Sequence, residues 1–197
     1  MAHTQSKITN IEKLHRETIV PKMTKKFGYK NPMQVPRLLK VVVNMGVGKA
    51  TEDIKILEEA AKELSLITGQ KPVYRRAKKS ISNFKVRQGQ AVGCCVTLRK
   101  KIMFEFVDRL LNVALPRIRD FRGVSPRGFD NTGNYTLGLK EQNIFPEVPT
   151  DRITRPQGMD ITFVTTASTK DEALHLLYLL GVPFRGKDEI MVLEGLN

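Results

Sequence analysis

The stretch from Gly69 to Lys101 holds ten Lys and Arg and not one Asp or Glu. Such a run is costly to hold together unless an anion comes to it, so it belongs at a surface facing a partner. The whole chain has 33 Lys and Arg against 20 Asp and Glu, a formal charge of +13 and a pI near 9.9, so most of the excess sits in a sixth of its length. Polyphosphate backbones are the commonest partner for clustered cations, and the attraction falls steeply as salt rises.

The chain has 197 residues, long enough to bury a core, and the default expectation is a single RNA-binding domain over 1–197 with flexible extensions at 1–6 and 186–197. No apolar run nears the roughly 20 residues needed to span a bilayer. The N-terminal residues lack the apolar core of a signal peptide, which points to the cytoplasm. Two adjacent cysteines, Cys94 and Cys95, make neither a disulfide framework nor a four-ligand metal site.

Residues 7 to 20 show helical spacing behind a Thr9/Glu12 capping box, with Pro21 breaking or bending the helix and Gly28 ending the turn that follows. From Arg37 to Val47 the period becomes two. Leu39, Val41, Val43 and Met45 point one way, and Lys40, Val42, Asn44 and Gly46 the other. Alternation alone favours a solvated outer face, but the amide of Asn44 is both donor and acceptor and suits a base or ribose edge.

Thr51 to Ile67 reads as a helix with its apolar stripe at Ile54, Leu57, Ala60, Ala61, Leu64 and Ile67. A short strand is expected around Gln70 to Tyr74, then a basic loop from Arg75 to Gln90, then a strand from Ala91 to Arg99. In that strand Val92, Cys94, Val96 and Leu98 face the core, while Cys95, Thr97 and Arg99 face outward. The loop places Phe84 among Lys78, Lys79, Lys85 and Arg87, and an aromatic flanked by cations can stack on an unpaired nucleotide. A helix over Lys101 to Leu115, strands at Asn134 to Leu139 and Asp160 to Thr166, and a helix opened by a Thr169/Glu172 capping box complete the chain.

Two glycine motifs resemble phosphate loops and fail. Gly46-Val47-Gly48-Lys49 lacks a glycine at Val43 and a hydroxyl at Ala50, and reads as a strand-to-helix turn. Gly181 to Lys187 has Asp188 in place of the magnesium-binding hydroxyl and follows a helix instead of a strand. His15 and His175 have no partners at ligand spacing and read as structural. No metal, cofactor or small-molecule substrate is expected, and no nucleophile and base converge.

The resulting order predicts an α+β fold: a mainly antiparallel sheet of about five strands, helices packed on one face, the other face open for RNA, and a long basic loop between the second and third strands. The strings MQVPRLLKVVVNMGVG, ITGQKP, AKKSISNFKVRQGQAVGCCVTLR, LPRIRDFRGVSPRGFDNTGNYTLGLKEQNIFPE and GMDITFVTTA closely resemble the family of the fifth protein of the bacterial large ribosomal subunit. The similarity spans about Ile11 to Arg185. It implies a non-catalytic, ribosome-bound protein of the cytoplasm that holds 5S ribosomal RNA (rRNA) in the central protuberance, with 23S rRNA nearby. It implies rRNA contacts by Lys40, Asn44, Gln70, Thr97 and Arg99, and contacts to the P-site transfer RNA (tRNA) by Lys78, Lys79, Phe84, Lys85 and Arg87. A bridge to small-subunit protein thirteen would lie after Glu141. Cys95 departs from the family pattern, which often has Lys at that outward position. The alternatives are a free basic RNA chaperone and a nucleotide-dependent enzyme.

Overall fold

The computed structural model describes residues 10–148 and 155–186; the expected extensions, Gly186 apart, and Thr9 of the first capping box lie outside them. Packing divides the described residues into two compact units, one of 10–39, 104–135 and 164–186, the other of 40–103, 136–148 and 155–163.

The second unit carries most of a five-stranded sheet: β1 (Leu38–Gly46), β2 (Val73–Arg76), β3 (Ala91–Leu98), β4 (Tyr135–Leu139) and β5 (Met159–Thr165). Their order is β2-β3-β1-β5-β4, with β3 antiparallel to both β1 and β2. The fold is α+β. Pairing sets Val41 opposite Leu98, Val43 opposite Val96 and Met45 opposite Cys94, and all six are buried. Helix α3 (Ile54–Thr68) packs beside β3 and buries Leu57, Ala60, Ala61, Leu64 and Ile67. Burial among apolar neighbours pushes the Cys94 thiol up to about 11, with Cys95 adding to the shift, so Cys94 is packing and not a nucleophile.

Three expectations are corrected here. Leu39 is 46% exposed while Leu38 is buried, so the regular alternation of burial along β1 begins only at Val41. Ile54 opens α3 on its exposed side instead of joining the stripe; Asp53 caps the helix by accepting a hydrogen bond from the Lys55 N–H. The second strand starts at Val73, not Gln70, since Gly69 ends α3 in a left-handed conformation (φ 69°) and Pro72 has no N–H to offer a ladder.

In the first unit, α1 (Asn10–Leu14) runs through a wide π-helical segment, His15–Ile19, into α2 (Val20–Phe27). Pro21 therefore does not break the helix. The Val20 N–H donates five residues back, to the His15 carbonyl, and this wider turn accommodates the proline ring. A π-helical segment, Leu110–Ala114, also follows α4 (Lys100–Arg109), the Leu115 N–H reaching the Leu110 carbonyl, but here the helix ends at Pro116, in a 3-10 turn over Leu115–Arg117. Helix α5 (Lys170–Leu179) begins with the expected Thr169/Glu172 capping box. Glu172 also accepts a 2.6 Å hydrogen bond from the Tyr29 hydroxyl, and His175 is buried between Phe27 and Tyr178. After α5 the apparent phosphate loop spends its N–H groups internally: those of Gly181 and Val182 bond Tyr178 and Leu177, and that of Arg185 bonds Val124. None of these donors is left to cradle a phosphate.

Candidate nucleic-acid interface

Because alternate residues of a strand face opposite ways, burying Val41, Val43 and Met45 fixes Lys40, Val42 and Asn44 on the other face of the sheet. Register extends that face outward from β1. Val42 pairs with Thr97, Asn44 with Cys95 and Gly46 with Gly93; then Cys95 pairs with Val73 and Gly93 with Arg75. On β5 the half-exposed positions Thr162 and Val164 and the exposed Asp160 continue it, and Thr162 meets Thr136 of β4 through a 3.1 Å hydroxyl contact. Lys40, Asn44 and Thr97 are half-exposed, and their side chains have no hydrogen-bond partner among the described residues. A half-exposed amide, hydroxyl and ammonium on a flat face of short side chains can meet a nucleic acid at close range.

Gln70 and Arg99 lie outside the strands. Gln70 is exposed in the turn after α3, where the Thr68 hydroxyl holds its backbone, and Arg99 is exposed between β3 and α4. Cys95 has the outward register expected but is only 5% exposed, since the Arg75 guanidinium lies over it, Nη2 to Sγ 3.6 Å. Arg75 is thus a cation on the face that sequence reasoning assigned to the loop. Only the register against Gly93 reveals it, and a bulge between Arg75 and Arg76 ends that register.

The connection from β2 to β3, residues 77–90, is an ordered hairpin. Ile81 and Val86 exchange backbone hydrogen bonds of 2.9 and 3.2 Å around a short 3-10 turn, Ser82–Phe84, which Lys85 closes at φ 53°. At its base Ala77 donates to Gln90 and accepts from Gly89, and the Ser80 hydroxyl accepts from the Gln88 N–H. The Gln90 side chain ties the hairpin down: Oε1 accepts from the Arg87 N–H and Nε2 donates to the Thr51 carbonyl, both at 3.1 Å. Lys78, Lys79, Lys85 and Arg87 are all exposed, and Phe84 stands 71% exposed at the tip. No salt bridge engages these four cations among the described residues. The hairpin therefore presents fixed, uncompensated charge around an exposed aromatic ring.

Among the described residues no group of His, Cys, Asp and Glu could hold a metal ion, and no helix is long and apolar enough to cross a membrane. His15 is half-buried with Nε2 3.5 Å from the Pro36 carbonyl, and burial lowers its basicity, an arrangement of packing.

The family model of ribosomal protein L5 matches residues 31–87, and the model of the C-terminal region of the same ribosomal family matches residues 91–184. The chain is 59% identical over 179 residues to the large ribosomal subunit protein uL5 of Chlorobaculum tepidum, covering 91% of this chain and 98% of that relative. The uL5 proteins of Clostridium beijerinckii and Clostridium botulinum are 58% and 56% identical over 177 residues, each covering 90% of this chain and 99% of the relative. The chain belongs to the ribosomal protein L5 family. The two L5 matches meet across the base of the hairpin, so the exposed sheet face draws β1 and β2 from one match and β3, β4 and β5 from the other.

Proposed function

We propose that this chain binds 5S rRNA across its exposed sheet face and reaches P-site tRNA with its hairpin. As a member of the L5 family it is a structural constituent of the large ribosomal subunit, part of a ribonucleoprotein that works in translation, and not an enzyme. Its partner is ribosomal RNA, and its place is the ribosome, which in bacteria lies in the cytoplasm. The finer reading rests on one observation: Lys40, Asn44 and Thr97 offer unpartnered polar groups on one exposed face, and Gln70 and Arg99 are exposed outside the strands. Cations supply affinity through phosphates, while uncharged donors and acceptors supply discrimination. Lys78, Lys79, Phe84, Lys85 and Arg87 are the proposed tRNA contacts, 23S rRNA lies nearby, and the region after Glu141 bridges to small-subunit protein thirteen.

The test is binding of the full chain to 5S rRNA and to an unrelated structured RNA of equal length across a salt series. Preference for 5S rRNA that survives high salt supports this reading. Equal binding that vanishes with salt supports a free basic RNA chaperone instead.

A further inference from the structure

We infer that the groove between the hairpin and the turn Gly48–Thr51 is a seat for one unpaired nucleobase of an RNA. The groove is open to solvent and has a volume of about 670 Å³, within the roughly 300–1,000 Å³ range of clefts that hold small molecules and their rings. Ile81 and Phe84 form its hairpin side, 48% and 71% exposed, although two large apolar side chains gain nothing from standing in water. Gly48 and Thr51 lie opposite. A Cβ built on Gly48 would meet nothing within 4 Å, so the missing side chain leaves open space there.

The groove is held at a set width before any partner arrives. The Gln90 side chain spans it at one end, linking the Arg87 N–H of the hairpin to the Thr51 carbonyl of the turn. An exposed aromatic ring in an apolar groove lined by Ile81, Val86 and Val92, with open space at Gly48, suits a flat ring. Lys78 and Lys79 also line the groove, and no acidic residue does. An apolar slot with two adjacent ammonium groups complements a flat apolar body attached to an anion, which is the make-up of a nucleotide.

This inference rests on the reading that the hairpin meets RNA, and the experiment separates the two. The full chain is titrated into a uridine tetranucleotide carrying 2-aminopurine at its third position, and into the same oligomer with an abasic third position. Stacking in the groove quenches 2-aminopurine, and the abasic oligomer binds about tenfold more weakly. Gly48→Leu fills the seat: quenching is lost and the two oligomers bind alike. Phe84→Ala has the same effect, and as an exposed tip residue it keeps the test valid should Gly48→Leu unfold. Replacing Lys78 and Lys79 by Gln weakens both oligomers equally yet leaves quenching at saturation. Absence of quenching by the wild-type chain, or an abasic oligomer bound as tightly as the intact one, overturns the seat. Should replacement of Lys78 and Lys79 by Gln still weaken binding of the oligomers in that case, the hairpin reading stands and only the seat falls; oligomer binding unchanged by that replacement overturns the hairpin reading itself.

Discussion

Replacing Lys78 and Lys79 together by Gln separates neutralisation of phosphate from recognition of RNA. Both ammonium groups are exposed on an ordered hairpin, and neither has an ion-pair partner among the described residues, so removing them leaves no acid unpaired. If each neutralises one phosphate, the slope of log affinity against log salt becomes shallower by about 1.4 to 1.8. Between 50 and 200 mM salt the deficit of the variant then shrinks by about sevenfold to twelvefold. Asn44→Ala removes no charge. It loses hydrogen bonds worth about 1 kcal/mol, roughly a fivefold deficit against 5S rRNA that stays constant along the salt series. Fluorescence anisotropy with labelled tRNA for the first variant and labelled 5S rRNA for the second gives both slopes. A double-lysine variant whose line runs parallel to the wild type refutes the phosphate contacts. An Asn44→Ala variant that weakens every RNA equally refutes recognition by the sheet.

Gly93→Ala places a Cβ 2.7 Å from the Met45 carbonyl oxygen, where β1 and β3 pair; overpacking there costs about 1–3 kcal/mol and lowers the melting temperature by several degrees, and an unchanged melt would contradict the pairing. Tyr29→Phe loses a bond to the Glu172 carboxylate worth about 1 kcal/mol. Burial raises the Glu172 pKa, but hydrogen bonds from Tyr29, Ser168 and Thr169 outweigh it and hold the group below its usual value. That stabilisation is present above the unfolded carboxylate pKa and fades as pH falls through the lowered folded value. Burial and the same bond raise Tyr29, whose contribution is full below the unfolded phenol pKa and fades as pH rises through the folded value. The cost of Tyr29→Phe in denaturant melts is therefore largest between the two limits, and a cost independent of pH would refute the coupling. Native protein at pH 8 should leave both thiols unreacted with a thiol reagent, since Cys94 is fully buried and pushed up to about 11 and Cys95 lies under Arg75. Rapid labelling of one thiol would show that Arg75 does not cover Cys95.

Most of the sheet was legible because its inner face demands alternation: Val41, Val43 and Met45 announce β1, and Cys94, Val96 and Leu98 announce β3. The capping box at Thr169 was equally legible, being a local arrangement of four residues. Continuity of the first helix through Pro21 was not, since a wide turn upstream of a proline depends on backbone bonds that composition does not encode. Within the site, Lys40, Asn44 and Thr97 follow from the phase of their own strands. Arg75 does not, because its face is set by pairing with a strand eighteen residues away in sequence. The Gln90 strap has no sequence signal either; it becomes visible only when the hairpin is brought beside Thr51.

Charge on the exposed face also constrains how an RNA would lie on it. The order β2-β3-β1-β5-β4 puts Arg75 on one edge strand, Lys40 on the central strand and Asp160 on the strand beyond it. A phosphate over β5 would meet the Asp160 carboxylate, whereas one over β2 and β3 would meet Arg75, with the cations of the hairpin following from the same edge. The electrostatic gradient across the sheet would therefore draw an RNA backbone toward β2. Base edges or ribose hydroxyls would then fall over β1 and its neighbours, where Asn44, Thr97 and Thr162 offer neutral donors and acceptors beside Lys40. Asp160→Lys should relax that orientation. It would raise affinity for any RNA through an added cation while reducing the preference for 5S rRNA, because the backbone could then settle on either side of β1. Increased affinity with undiminished preference would mean that Asn44 and Thr97 alone set the orientation.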